Sequence, residues 1–123
     1  MEEGPDSVRN LEIWGEAVTI VKSVYALTKT WPKEELYGLT NQARRAAVSI
    51  PANLAEGLGR GTPKETARFA QIALGSLYEL DTLVYLSAEL EYSSQDMITG
   101  LRKRLTTLAK RISAFVRYQE SRS

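Results

Sequence analysis

The clearest chemical signal lies in the last quarter of the 123-residue chain, where Arg102, Lys103, Arg104, Lys110, Arg111 and Arg117 cluster. They share a stretch with Ile98, Leu101, Leu105, Leu108, Ile112 and Phe115, apolar residues that alternate three and four apart. That alternation is the period of an amphipathic helix, and it puts the basic side chains on the opposite, polar face. Lys103, Lys110 and Arg117 stand seven apart on one line, with Arg104 and Arg111 beside them. Cations in such a row suit the phosphate backbone of RNA or DNA, with affinity that falls steeply with salt and little sequence preference. The alternative is a solvated face whose charge answers an acidic neighbour. No aromatic residue interleaves the row, so base stacking is not expected from this helix.

A second group is Arg44-Arg45, in the segment LTNQARRAAVSIPANLAEGLGR over residues 39–60. Leu39, Ala43, Ala46, Ala47, Ile50, Leu54 and Leu58 make one helical stripe, rich in small residues that let neighbouring helices approach closely. Pro51 interrupts the pattern, where it removes a backbone donor at a usual cost of about 3 kcal/mol. One reading is a kinked core helix with snorkelling arginines; the other is a kink that aims arginines and freed carbonyls at a partner. Glu79 or Asp81 could pair with Arg44 and Arg45, which would fix register more than add stability.

Other chemistry finds little support. The chain has no cysteine and no histidine, which removes thiolate chemistry, the commonest general base and the commonest metal ligand. Glu56, Glu79, Asp81 and Glu89 lack the histidine that carboxylate di-metal bundles use. Ser49 has no histidine partner and falls inside an expected helix, so nucleophilic catalysis is not expected of it. Gly57, Gly59 and Gly61 follow no strand and precede no Gly-Lys-Ser/Thr, so they read as helix-end and turn residues rather than a phosphate loop. No enzyme and no cofactor is expected.

The elements that position these residues are helical throughout. Residues 1–9 read as a flexible arm, residues 10–118 as one helical domain and residues 119–123 as a fraying tail. The first helix is expected from an Asn10 cap to Thr30. It carries Trp14, Ala17, Val18, Val21, Val24, Tyr25 and Thr28 on one stripe, and Ile13, Ile20 and Leu27 on a displaced row that suggests a second contact surface. Trp31-Pro32 ends it. The second helix is expected to stop at Gly57 and Gly59, with Glu56 and Arg60 as a four-residue ion pair. Thr62-Pro63-Lys64-Glu65 is a capping box with proline at the first helical position, opening a third helix that runs to about Leu90. That helix has one apolar stripe of Ala70, Ala73, Leu77, Leu80 and Val84, and another of Phe69, Ile72, Leu83, Leu86 and Leu90. So much apolar circumference in a small chain implies cover from another copy. Ser93 or Ser94 caps the fourth helix.

The formal net charge is only +1, but residues 69–96 carry −5 and residues 97–123 carry +6. The acidic start resembles no secretory leader and no window is apolar enough for a bilayer, so the cytoplasm is expected, with no membrane partner. Four helices with short connections predict an all-α, antiparallel up-down-up-down bundle.

Several runs carry a family resemblance: Glu34-Glu35-Leu36-Tyr37-Gly38-Leu39-Thr40, Gln42, Arg44 through Pro51, Asn53, Ala55-Glu56-Gly57, and Ile72 through Leu77 with Glu79-Leu80. Over about residues 10–117 the chain resembles the four-helix-bundle proteins encoded in intervening sequences of bacterial large-subunit ribosomal RNA genes. Arg44, Arg45, Pro51, Asn53, Glu56 and Gly57 carry the motif; Leu54 and Leu58 are small departures from it. The resemblance implies a homopentameric ring with a central channel. It extends to the accessory variability protein of diversity-generating retroelements, which implies nucleic acid, a reverse transcriptase or an RNA-processing protein as partners.

Overall fold

The computed structural model describes residues 11–123, so the expected arm and the Asn10 cap lie outside the described residues. Among those described, four α-helices and one short 3-10 turn make up the fold. They are α1 (Glu12–Thr28), the turn Lys33–Glu35, α2 (Leu39–Gly59), α3 (Pro63–Glu89) and α4 (Gln95–Arg122). Each helix packs on its neighbour in sequence, and α1 also packs on α4, so the four close around one core.

Helix starts follow side-chain chemistry where it is present. The Thr62 hydroxyl accepts the Glu65 N–H at 3.2 Å with Pro63 at the first helical position, and Ser94 accepts the Met97 N–H at 3.2 Å. These bonds satisfy backbone donors that a helix start otherwise leaves unpaired. Ser93 has a different job and is described below. At the far end of α4, the tail expected to fray from Gln119 continues the helix to Arg122, and Gln119 is buried.

The apolar stripes form the core as the spacing requires, with one correction. On α1 the row Ile13, Ile20 and Leu27 is not a second contact surface. It joins Ala17 and Val24 in the interior, while Trp14, Val18 and Val21 are half-buried on its flank and Tyr25 is exposed. On α2 the buried face is Ala43, Ala46, Ala47, Ile50, Pro51, Leu54 and Gly57. On α3, Ala70, Ala73, Leu77, Leu80 and Val84 are buried, whereas Ile72, Leu86 and Leu90 of the second stripe remain exposed. The described residues include no helix long and apolar enough to cross a membrane.

Pro51 lies inside a continuous α2. The glycines divide their roles differently from expectation. Gly57 is a buried helical residue, Gly59 is the last helical residue, and the left-handed position falls at Gly61, with φ of 82°. Two hydrogen bonds then clasp the connections together at one end of the bundle. Buried Trp31 donates its indole N–H to Ser93 Oγ at 2.8 Å, and Tyr92 Oη donates to Glu35 Oε2 at 2.8 Å.

Glu35 also accepts the Leu39 N–H through Oε1 at 3.0 Å, thereby serving the start of α2. That bond first, and the Tyr92 hydroxyl second, hold its carboxyl below the usual carboxylate range. A carboxylate whose folded pKa is depressed adds stability above its unfolded pKa, and that stability is lost as pH falls through the folded value. Acid melts of the parent should therefore show a loss of stability below about pH 4.3, the unfolded glutamate value. In Glu35→Gln this part of the acid dependence should be absent; an unchanged pH profile would contradict the assignment.

Candidate nucleic-acid interface

The six basic residues of α4 do not form one surface. Because successive residues sit about 100° apart around a helix, Arg102, Lys103 and Arg104 point to different sides of it. The structure sorts the six by the neighbour each one meets. On the α3 side, Arg102 makes a two-pronged pair with Asp81, Nε to Oδ1 at 2.8 Å and Nη2 to Oδ2 at 3.0 Å, and lies 5.2 Å from the Tyr85 ring centroid. The hydrogen bond to Asp81 raises the pKa of the guanidinium above its already high ordinary value. On the α1 side, Arg111 pairs with Glu12 at 2.6 Å and with Glu16. Arg104 donates to Ser23 Oγ at 2.9 Å.

Three cations remain. Lys103, Lys110 and Arg117 are exposed on the outward face of α4, and among the described residues none has a carboxylate within salt-bridge distance. They form a ridge between two grooves. The α1-side groove, about 340 Å³, is lined by Glu16, Thr19, Lys103, Arg104 and Thr107 among others. The α3-side groove, about 310 Å³, is lined by Tyr78, Asp81, Thr106, Lys110, Ser113 and Arg117 among others. Tyr78 is 58% exposed, so an aromatic face does stand beside the ridge, supplied by the neighbouring helix rather than by α4. Spacing along α4 could not reveal it; the signal was Tyr78 and Tyr85 seven apart on α3.

Arg44 and Arg45 are not brought to Asp81, which Arg102 occupies. Arg44 instead turns to α1, donating from Nε to Thr28 Oγ1 at 2.9 Å with its guanidinium 4.7 Å from the Tyr25 ring centroid. Arg45 is exposed and lines a groove with Glu79 without forming an ion pair.

Of the other motif residues, Asn53 and Gly57 serve the joint between α2 and α3. Asn53 donates to the Ser49 carbonyl and hydroxyl, both at 2.8 Å, and Ser49 Oγ bonds Ser76 Oγ at 2.8 Å across to α3. Glu56 pairs with Arg60 at 3.1 Å, the expected four-residue pair. Gly57 faces α3 directly: a Cβ placed there would sit 2.9 Å from Phe69 Cβ and 3.1 Å from the Thr66 carbonyl oxygen. Two of the four carboxylates considered for a metal, Glu56 and Asp81, are thus committed to arginines.

The fold and the site define a four-helix protein with an outward cationic ridge and an α2–α3 seam built from the ordered motif. Residues 9–114 match the 23S rRNA-intervening sequence protein family, and the chain belongs to that family. Compared one by one with curated proteins, the chain matches none.

Proposed function

We propose that the protein is a non-enzymatic, cytoplasmic RNA- or DNA-binding member of its family, and that the ridge Lys103, Lys110 and Arg117 is the binding surface. The observation that carries this reading is the ridge itself: three cations on one line, beside flanking arginines that are held by Asp81, Glu12, Glu16 and Ser23. An unpaired cation can take a phosphate without first breaking a protein contact. Tyr78 adds a ring beside it.

Salt dependence tests the reading. Three phosphate contacts per copy imply a slope of about −2.7 in log affinity against log salt, or about 40-fold weaker binding to a duplex between 50 and 200 mM. Replacing Lys103, Lys110 and Arg117 by glutamine should abolish that slope in a mobility-shift assay, while Arg102→Gln should leave it nearly intact. Retention that is insensitive to salt, or unchanged in the triple variant, would refute it.

The helices are proposed to run antiparallel, up-down-up-down. This is supported by contacts in opposite order along paired helices: Glu12 and Glu16 meet Arg111 while Ser23 meets Arg104, and Ser49 meets Ser76 while Gly57 meets Thr66 and Phe69. Self-association, into the homopentamer implied by the resemblance, is supported by Ile72, Leu86 and Leu90, apolar side chains left exposed along α3. Repetition around a ring would multiply the field of each ridge. The same apolar row favours a second reading, a scaffold that assembles and binds protein rather than nucleic acid; the triple variant separates the two. A reverse transcriptase or RNA-processing protein is the proposed partner in the first case.

A further inference from the structure

A groove of about 580 Å³ opens where α1, the 3-10 connection and α2 meet. The ridge on α4 is elsewhere: no Cα of α2 comes within 8 Å of one of α4. Tyr25, Tyr37, Asn41, Arg44 and Arg45 contribute its polar and aromatic walls, and no carboxylate lines it. Arg44 is fixed in place by Thr28 and by the Tyr25 ring. Its Nη groups and the whole Arg45 guanidinium make no hydrogen bond or ion pair among the described residues. Tyr37 is 91% exposed, with a free ring face at the same opening.

Two arginines that line one groove, neither of them in an ion pair, are suited to an oxyanion, which arginine grips through paired N–H donors. Their combined charge matches a phosphomonoester, which carries close to two negative charges at pH 7, better than a singly charged diester. A free aromatic face beside them suits a planar ring. The volume lies in the range of small-molecule sites. We propose that this groove binds a nucleoside monophosphate, with its phosphate on Arg44 and Arg45 and its base against Tyr37. The ligand is either a free nucleotide or the 5′-phosphorylated end of a single strand, and the site does not depend on the ridge.

The test uses the full chain in calorimetric titrations with AMP, adenosine, inorganic phosphate, and a short oligonucleotide with and without a 5′-phosphate. AMP should bind at least tenfold more tightly than adenosine or phosphate, and weaken below about pH 6 as the monoester takes up a proton. Arg45→Ala and Tyr37→Ala should each weaken AMP about tenfold; both side chains are exposed, and circular dichroism checks that the helices persist. The triple ridge variant should bind AMP like the parent. Preference for the 5′-phosphorylated over the 5′-hydroxyl strand identifies a strand end as the ligand, and AMP binding without that preference identifies the free nucleotide. The proposal is overturned if phosphate alone binds as well as AMP, or if neither variant weakens AMP. It is equally overturned if Tyr37→Ala changes the solution mass and leaves AMP binding intact, which would make the groove a contact between copies.

Discussion

Truncating Leu80 to alanine is expected to lower the unfolding free energy by about 2–5 kcal/mol. Leu80 is fully buried on the inner stripe of α3, and its truncation leaves a cavity that the surrounding helices fill only in part. The informative comparison is Leu86→Ala, six residues further along the same helix on the exposed stripe. There the fold should lose less than about 1 kcal/mol, because little area is buried within one copy. The two variants, melted in urea at several protein concentrations, divide the apolar surface of α3 by purpose. Leu80→Ala should weaken the fold at every concentration, whereas Leu86→Ala should act through concentration-dependent association. A loss under 1 kcal/mol for Leu80→Ala would mean that this core is not packed as described.

A second large effect is expected at Gly57. Valine there should cost about 3 kcal/mol, since the added carbons have to displace Phe69 Cβ and the Thr66 backbone, neither of which can swing away. Any change forces α2 and α3 apart along the seam that also holds Ser49, Asn53 and Ser76. Gly75 provides the opposite sign. It lies within α3 with nothing within 4 Å of an added Cβ, so Gly75→Ala should stabilise by about 0.5–1 kcal/mol through helix propensity. Thermal melts that place both variants on the same side of the parent would refute the close approach at Gly57.

These glycines show where sequence reading reaches and where it stops. A small-residue stripe on α2 is visible in the spacing, and so are the Thr62 box, the Ser94 cap and the α4 seam, because each depends on residues within a turn or two of one another. Which glycine is pressed against a neighbour and which adopts the left-handed region depends on where α3 turns back, and that placed the left-handed position at Gly61. The charges follow the same division. Spacing assigned Arg102, Arg104 and Arg111 to one basic face, but their partners lie 21, 81 and 99 positions away. Only the rotation of each helix about its axis decides whether an arginine meets a carboxylate or solvent. Likewise, Ile13, Ile20 and Leu27 looked like a second row because the core-facing angle of α1 is set by α2 and α4.

The clasp between Trp31 and Ser93 has a practical consequence. The chain has two tryptophans, near opposite ends of α1 and about 25 Å apart along the helix axis. Trp31 is shielded and hydrogen-bonded at the end where the two connections meet, while Trp14 is partly shielded near the other. Each end of the molecule thus carries its own natural fluorophore. With Trp14 changed to phenylalanine, the remaining emission reads opening of the clasped end, with no dye attached to the surfaces under test.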